Sequence, residues 1–214
     1  MTFSAKTMRL LTTMAKKDDD AWFAAHEDEY NEHVRTPFVD LVMRLGEELG
    51  AAHPRCRFSA RSVTRVKGQD GSYKDYIACM MSPRKASRFE YPPGFYVSVG
   101  PGHIILGAGV YRPSSPQLRA IRTAIQRDPE ALTRILREPK LKRLLGGLGE
   151  PDMTRGPRGF EVAPKYQALL MHKSYTVARH FTPEELANGK RFETEVVKAA
   201  QAASPFVRWL EQAL

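Results

Sequence analysis

The apolar residues in the first quarter of the chain recur at intervals of three and four, which is the spacing of an amphipathic helix. A first stripe follows Ser4, whose hydroxyl can cap a helix, and comprises Met8, Leu11, Met14 and Ala15. The acidic run at residues 18–20 predicts a turn and the start of a second helix. Thr36 is the predicted cap of a third helix, with Pro37 as its first helical residue.

From Arg57 onward the hydrophobic period changes to two, which is typical of strands. The first predicted strand starts at Arg57 and has one basic face. The other predicted strands cover residues 76–81, 95–99, 103–111 and 175–180. No helical crossover separates the first four strands, so they are predicted to pair antiparallel. The "GPG" at residues 100–102 is predicted to form the tight turn of a hairpin.

Helical patterns return after this sheet region. Predicted helices start at Ser115 with Pro116, at Asp128 with Pro129, over residues 164–170, at the Thr182 to Glu185 capping box, and over residues 192–203 and 205–214. The sequence therefore predicts a single α+β domain over residues 1–214. Its central antiparallel sheet of about five strands is packed by N-terminal, middle and C-terminal helices.

Composition places the chain among ordinary globular proteins. It has 214 residues, of which 42% are hydrophobic and 27% are charged. The only cysteines, Cys56 and Cys79, are too few for a disulfide framework and are interpreted as reduced thiols. The uncharged stretch at residues 91–111 contains three prolines and five glycines, so it does not suit a membrane span. A cytoplasmic protein without a membrane partner is expected.

Positive charge is concentrated in the middle of the chain. The net charge is +9, with +5 on residues 57–90 and +8 on residues 91–181, whereas residues 1–56 carry −3 and residues 182–214 carry −1. Such a distribution favours an anionic partner for the middle segment. A general excess of basic residues is the alternative explanation.

Motifs for cofactors and metals are not evident. The loop "SARSVTRVKGQDGSYKDY" at residues 59–76 contains glycines and a lysine but lacks the Gly-Lys-Ser/Thr sequence and the following helix of a P-loop. None of the six histidines forms a His-x-x-x-His pair, and no Gly-x-Ser-x-Gly elbow is present. We therefore expect no cofactor and no metal site.

The remaining candidates are basic and aromatic residues attached to the predicted sheet. Arginine and lysine bind phosphate or carboxylate, and tyrosine can stack on a base or sugar. The predicted ligand-binding residues are Arg61, Arg65, Tyr73, Lys74, Tyr111 and Arg158. In the competing interpretation these arginines pair with nearby acidic residues and the tyrosines are half-buried at the sheet edge.

Four stretches carry a family resemblance that extends over nearly the whole chain in order. They read "DDDAWFAAHEDEYNEHVRTPF", "RSVTRVKGQDGSYK", "GPGHIILGAGVYRPSSPQLRAIRTAI" and "GPRGFEVAPKYQALLMHKSY". Together they resemble the uncharacterised proteins grouped as domain of unknown function 2461. The resemblance implies a single α+β domain and a cytoplasmic location, but no activity. The family's loop pattern is matched at Arg65, Tyr73 and Lys74. Within residues 66–72 the sequence departs from that pattern at Val66, Gln69, Gly71 and Ser72, which leaves a shared activity of this loop in question.

Three functional classes follow from these observations. The leading hypothesis is a binding module whose basic, sheet-centred cleft takes an anionic ligand, either nucleic acid or a phosphorylated metabolite. The alternative is an enzyme acting on a phosphorylated or carboxylated substrate in the same cleft, with Asp70 or Asp75 as acid or base. An interaction protein would use Phe206 and Trp209, but their position on an apolar stripe favours a place in the core.

Overall fold

The computed structural model describes residues 2–58, 66–83 and 91–214 of the chain. Three helical segments come first, α1 (Ala5–Lys17), α2 (Asp20–Tyr30) and α3 (Thr36–Leu49), with a π-helical turn, Asn31–Arg35, between the last two. The strands that form the sheet are β1 (Ile77–Met81), β2 (Gly94–Val99), β3 (Ile104–Val110) and β4 (Tyr175–Phe181). This arrangement confirms the predicted α+β class.

The remaining helices follow β3 and β4. Between these two strands lie α4 (Ser115–Arg127), α5 (Pro129–Arg137), α6 (Pro139–Leu145), a 3-10 turn (Pro164–Tyr166) and α7 (Gln167–Leu170). After β4 come the short α8 (Pro183–Ala187) and the long α9 (Lys190–Ala213).

Most of the predicted helix starts are confirmed by side-chain caps. Asp128 accepts the N–H of Ala131 at 3.1 Å. Thr182 and Glu185 form the predicted capping box at the start of α8. The N-cap of α4 is Ser114 rather than Ser115, one residue before the predicted start. Short-range signals of this kind are reliable because a cap and its N–H partner are only two or three residues apart.

The predicted helix start at Thr36 is wrong, because α2 and α3 are continuous through the π-helical turn. Thr36 has helical backbone angles and does not act as a cap. Pro37 has no N–H to donate to the carbonyl of His33, which normally would end or kink the helix. The hydroxyl of Thr7 on α1 donates to that carbonyl at 2.7 Å, so a tertiary contact satisfies the group.

Pro205 likewise fails to divide the C-terminal segment into the two predicted helices. Helix α9 is a single helix with Pro205 inside it. Buried residues lie on both sides of the proline, among them Ala199, Ala203, Phe206 and Leu210. Packing of this continuous apolar face outweighs the loss of one backbone hydrogen bond. Phe206 is fully buried and Trp209 packs partly against the core, as their position on the stripe predicted.

The described part of the chain forms a sheet of four strands rather than about five. The strands pair antiparallel in the order β1-β2-β3-β4, which confirms the predicted antiparallel sheet. The strand predicted to start at Arg57 is not among these four. Arg57 and Phe58 are not in a strand, and residues 59–65 lie outside the described residues.

The sheet has one buried face and one open face. Cys79, Val97 and Leu106 occupy one cross-strand row of the buried face, and Met81, Phe95 and Ala108 occupy the next. Helix α9 packs against β3. Because successive side chains of a strand point to opposite faces, the residues between these buried positions face away from the core in all four strands.

We predict that Thr7→Val destabilises the protein by about 1–3 kcal/mol, because the carbonyl of His33 loses its donor beside Pro37 and the N–H of Ser4 loses its acceptor. Urea unfolding followed by circular dichroism measures the change. Thr12→Val is the matched control, since the exposed Thr12 hydroxyl only donates to Met8 within α1. A control effect below about 0.5 kcal/mol is expected. Equal effects of the two substitutions would contradict this account of the π-helical turn.

Candidate functional site

The open face of the sheet contains a trough made by small residues. Met80, Tyr96, Gly107 and Ala178 are aligned across the four strands in one row. Gly107 and Ala178 leave space between the larger side chains of this row. A Cβ atom at Gly107 would have no heavy atom closer than the Cβ of Tyr96 at 3.9 Å. The sequence of small residues on β3 and β4 thus produces a depression instead of a flat surface.

Three tyrosines and a methionine surround this trough. Tyr91, Tyr96, Tyr111 and Met80 are exposed, and they line a pocket of about 610 Å³ with the trough as its floor. Its volume is within the range of small-molecule sites. None of the described lining residues is Asp, Glu, His, Lys or Arg. The pocket suits a flat, apolar part of a ligand. We refer to it as the tyrosine pocket.

Neighbouring elements position the tyrosines at its rim. The side-chain amide of Gln117, in the first turn of α4, donates to the carbonyl of Tyr91 at 3.1 Å. Tyr111 follows β3 directly and is 58% exposed. The guanidinium of Arg112 lies 5.2 Å from the centre of its ring. A cation of this kind places positive charge beside an otherwise uncharged pocket.

Arg112 is held in an uncommon backbone conformation. Its φ of 52° is in the left-handed region, which non-glycine residues rarely adopt. The N–H of Arg112 donates to the hydroxyl of Ser174 at 3.2 Å, and this contact holds the turn after β3. Strained backbone of this type is frequent at ligand sites, so the observation supports a functional interpretation of the rim.

Tyr73, a predicted ligand-binding residue, anchors its loop to the first two helices. The side chain is 7% exposed, and its ring packs 5.1 Å from that of Phe23. Its hydroxyl donates to Asp20 at 3.0 Å, while its N–H donates to Asp18 at 2.7 Å. Lys67 pairs with the same Asp20 carboxylate at 2.5 Å and lies over the Tyr73 ring. The agreement with the family pattern at Tyr73 therefore has a structural explanation.

The described candidates do not line one common pocket. Tyr73 and Lys74 line a shallow hollow beside their own loop, and the ammonium group of Lys74 lies 5.6 Å from the ring of Tyr76. Tyr111 lines the tyrosine pocket. Arg158 is exposed in the glycine-rich segment after α6. Arg61 and Arg65 lie outside the described residues, so their contribution stays a prediction from the sequence.

One of the two carboxylates proposed as acid or base, Asp70, is engaged within its own loop. Asp70 accepts the N–H of Ser72 at 3.1 Å and its hydroxyl at 2.8 Å. These two hydrogen bonds lower the pKa of Asp70, which is the direction expected for a structural carboxylate in a turn. A general acid at neutral pH needs a raised pKa, so this residue is poorly suited to that role.

A second group of functional side chains lies on the opposite side of β2 and was missed by the sequence analysis. The ring of His53, after α3, is fully buried, and its edge packs on Phe95 with 5.1 Å between ring centres. His53 Nε2 lies 2.8 Å from the Ser204 hydroxyl, and its Nδ1 lies 3.2 Å from Glu211. Cys56 Sγ lies 3.7 Å from the same carboxylate. We call these four residues the His53 cluster.

Ser204, His53 and Glu211 are in contact in the same order as the residues of a Ser-His-Glu catalytic triad, but the serine hydroxyl is not accessible to a substrate. A carboxylate only accepts, so Nδ1 carries the ring proton and Nε2 of a neutral ring accepts from Ser204. Ser204 is buried in the middle of α9, where no substrate carbonyl reaches its hydroxyl. Burial, and after it the neighbouring carboxylate of Glu211, raise the pKa of the Cys56 thiol to about 12. Neither side chain is an activated nucleophile in this state.

The fold and the site together define the class of this protein. It is an α+β protein with a solvent-facing pocket on its antiparallel sheet. Within that class, a family model described as "Conserved hypothetical protein (DUF2461)" matches residues 6–209, and the chain belongs to this family. The resemblance noted from the sequence is confirmed. No curated protein and no solved structure matches the chain.

None of the described helices has the length and apolar character needed to cross a lipid bilayer.

We predict that Asp20 stabilises the loop anchor in a pH-dependent way. The ion pair with Lys67, and then the Tyr73 hydroxyl, lower the pKa of Asp20. A lowered folded-state pKa contributes stability above the ordinary Asp pKa, and this contribution is lost as the pH falls through the folded-state value. Asp20→Asn should thus lower the Tm at pH about 7, and the difference should shrink below pH about 4.

Differential scanning calorimetry at both pH values checks this expectation. Glu27→Gln, on an exposed position of the same helix, is the control and should change the Tm little at either pH. A Tm difference for Asp20→Asn that is unchanged in acid would mean that the carboxylate charge does not hold the loop.

Proposed function

We propose that this protein is a binding module that takes a ligand with a flat ring and an anionic group on the open face of the sheet. A nucleotide unit, in a nucleic acid or as a phosphorylated metabolite, has this chemistry. The observation that carries the proposal is the tyrosine pocket, with exposed aromatic side chains over a floor of small residues. Base stacking on such side chains needs no charged groups in the pocket itself.

Positive charge to attract the anionic group of the ligand is present at the margin of the pocket. Arg112 is next to Tyr111 and its guanidinium lies near that ring. The chain as a whole carries +9, concentrated in its middle segment, which favours approach of an anion. Arg61, Arg65, Lys74 and Arg158 remain proposed contacts along the rest of the ligand, in keeping with the sequence prediction. A location in the cytoplasm also remains a prediction.

Binding is favoured over catalysis by the side chains in the pocket. Apart from tyrosine hydroxyls, the described lining residues offer no acid, base or charged group to a reacting atom. Asp70 is held by Ser72 in a separate hollow. An enzyme acting on a phosphorylated or carboxylated substrate in the same cleft would need groups from elsewhere in the chain.

The central prediction is that changes in the tyrosine pocket remove binding without unfolding the protein. Tyr96→Ala and Tyr111→Ala should each weaken binding by about tenfold or more, because stacking contributes about 1–3 kcal/mol per base. Gly107→Val should block the floor, since there is space for its Cβ but the added methyl groups enter the trough. Fluorescence anisotropy with labelled single-stranded oligonucleotides, and thermal shift with mononucleotides, measure the effect at low salt.

Met43→Ala is the matched control, because Met43 is an exposed apolar residue on α3 outside the pocket. It should bind as the wild type does. Circular dichroism verifies the fold of each variant. Binding that survives all three pocket substitutions, or the failure of every probe to bind the wild type at low salt, would refute the proposal.

Salt dependence separates the ionic contribution from stacking. Binding should weaken as salt rises, and Arg112→Gln should reduce the slope of log K against log salt by about one. Tyr111→Ala should weaken binding but keep most of the slope. Arg134→Gln, at an exposed position of α5, is the control and should leave the slope unchanged. The same measurement on Arg61→Gln, Arg65→Gln and Arg158→Gln tests those predicted contacts. A slope of zero for the wild type argues against an anionic ligand.

A further inference from the structure

The His53 cluster brings together three of the side-chain types that bind zinc. His53, Cys56 and Glu211 each present one ligand atom, and these three atoms lie within 4.8 Å of one another. Imidazole nitrogen, thiolate sulfur and carboxylate oxygen are the usual protein ligands of Zn²⁺. These groups come from a turn and a helix that are separated by more than 150 residues in the chain.

Two of the three separations between the ligand atoms are close to those around a single tetrahedral ion. Tetrahedral zinc with bonds of about 2.0–2.3 Å requires ligand atoms about 3.3–3.6 Å apart. Nδ1 of His53 lies 3.3 Å from Oε1 of Glu211, and Sγ of Cys56 lies 3.7 Å from the same oxygen. The third pair, the ring nitrogen of His53 and Sγ of Cys56, lies within 4.8 Å, so an ion that bonds to all three atoms must draw the side chains closer together.

The backbone holds the two ligands of the turn in a fixed relation. The N–H of Cys56 donates to the carbonyl of His53 at 2.9 Å, which closes a turn of four residues. Pro54 is the second residue of this turn, where its fixed φ is favourable. The spacing His-x-x-Cys therefore has a rigid backbone, as metal-binding pairs with two intervening residues commonly do.

Ser204 supplies the outer contact that a metal-bound histidine needs. When Nδ1 binds an ion, the neutral ring carries its proton on Nε2, which must donate to an acceptor. The Ser204 hydroxyl is 2.8 Å from Nε2 and can accept that proton in a hydrogen bond. The buried serine is thereby explained as a residue that orients the ring.

The open side of the cluster provides a fourth position. Glu211 is 21% exposed and borders a hollow of about 460 Å³, with Arg55 and Arg208 also in its lining. Water can reach an ion from this side. Thiolate and carboxylate together neutralise the two charges of the ion, which removes the cost of burying an uncompensated charge.

We propose that His53, Cys56 and Glu211 form a zinc site with a water molecule in the fourth position and with Ser204 as a positioning residue. Binding forms Zn–N, Zn–S and Zn–O bonds, moves the ring proton of His53 from Nδ1 to Nε2 and releases the thiol proton to solvent, without any redox step. The site lies across β2 from the tyrosine pocket and does not depend on the ligand proposed there.

Cobalt substitution tests the proposal directly. The reduced full-length protein is treated with a chelator and titrated with Co²⁺. We expect a 1:1 complex with a thiolate-to-cobalt charge-transfer band and the strong visible bands of four-coordinate cobalt, both removed by Zn²⁺. Cys56→Ala should lose the charge-transfer band. Cys79→Ala, which changes the other buried cysteine of the chain, should keep it.

Two further variants separate ligation from orientation. Glu211→Gln should weaken Zn²⁺ binding by at least about tenfold and alter the visible bands, since it replaces a ligand. Ser204→Ala should weaken binding by about 10–100-fold and leave the bands in place, because it removes only the contact that orients His53. Zn²⁺ should raise the Tm of the wild type but not that of Cys56→Ala.

Folded wild-type protein that gives no cobalt spectrum, or a spectrum that persists in Cys56→Ala, would overturn the zinc site. The cluster would then be a hydrogen-bonded clamp between the turn after α3 and α9. Loss of nucleotide binding in the tyrosine-pocket variants has no bearing on this result, so the two proposals fail independently.

Discussion

Burial of one face of the antiparallel sheet beneath α9 is the constraint on which the rest of the structure depends. Successive side chains of strands β1 to β4 point alternately to the two faces of the sheet. For each side chain that packs inward, its neighbour along the strand therefore faces outward. Phe95, Val97 and Leu106 belong to the buried rows, while Tyr96 and Gly107 belong to an outward row. A slip of one residue in register would exchange these two sets and destroy both the core and the tyrosine pocket. The core thus determines which residues are available for binding.

The two sides of β2 consequently carry different chemistry. On the open side, small residues and tyrosines make an apolar pocket, and Arg112 lies at its margin. On the buried side, Phe95 packs against His53, which joins α9 through Ser204 and Glu211. Burying such polar groups costs little stability only because each of them has a partner within reach, either through a hydrogen bond or through a shared metal ion. The physical separation of the two sites allows each to be changed alone.

Local signals accounted for much of the fold and for little of the candidate site. Caps such as Asp128 and the Thr182 capping box act over two or three residues, and strand alternation acts over five to seven, so both can be read from short windows of sequence. Pro37 and Pro205 were interpreted as helix boundaries because local rules assign a breaking effect to proline. Thr7 supplies the donor near one proline, and a continuous apolar face outweighs the other. Such compensation comes from residues that are distant in sequence.

The sequence by itself determined the α+β class, the antiparallel pairing of the strands, most helix starts, the family and the concentration of positive charge, since each depends on neighbouring residues or on composition. Tertiary structure alone decided that Tyr73 anchors a loop while Tyr111 faces a pocket, because identical side chains differ only in what packs against them. It also decided that His53, Cys56 and Glu211 meet. Contacts across more than 150 residues of chain leave no periodic or local signature and exist only after the core has brought their elements together.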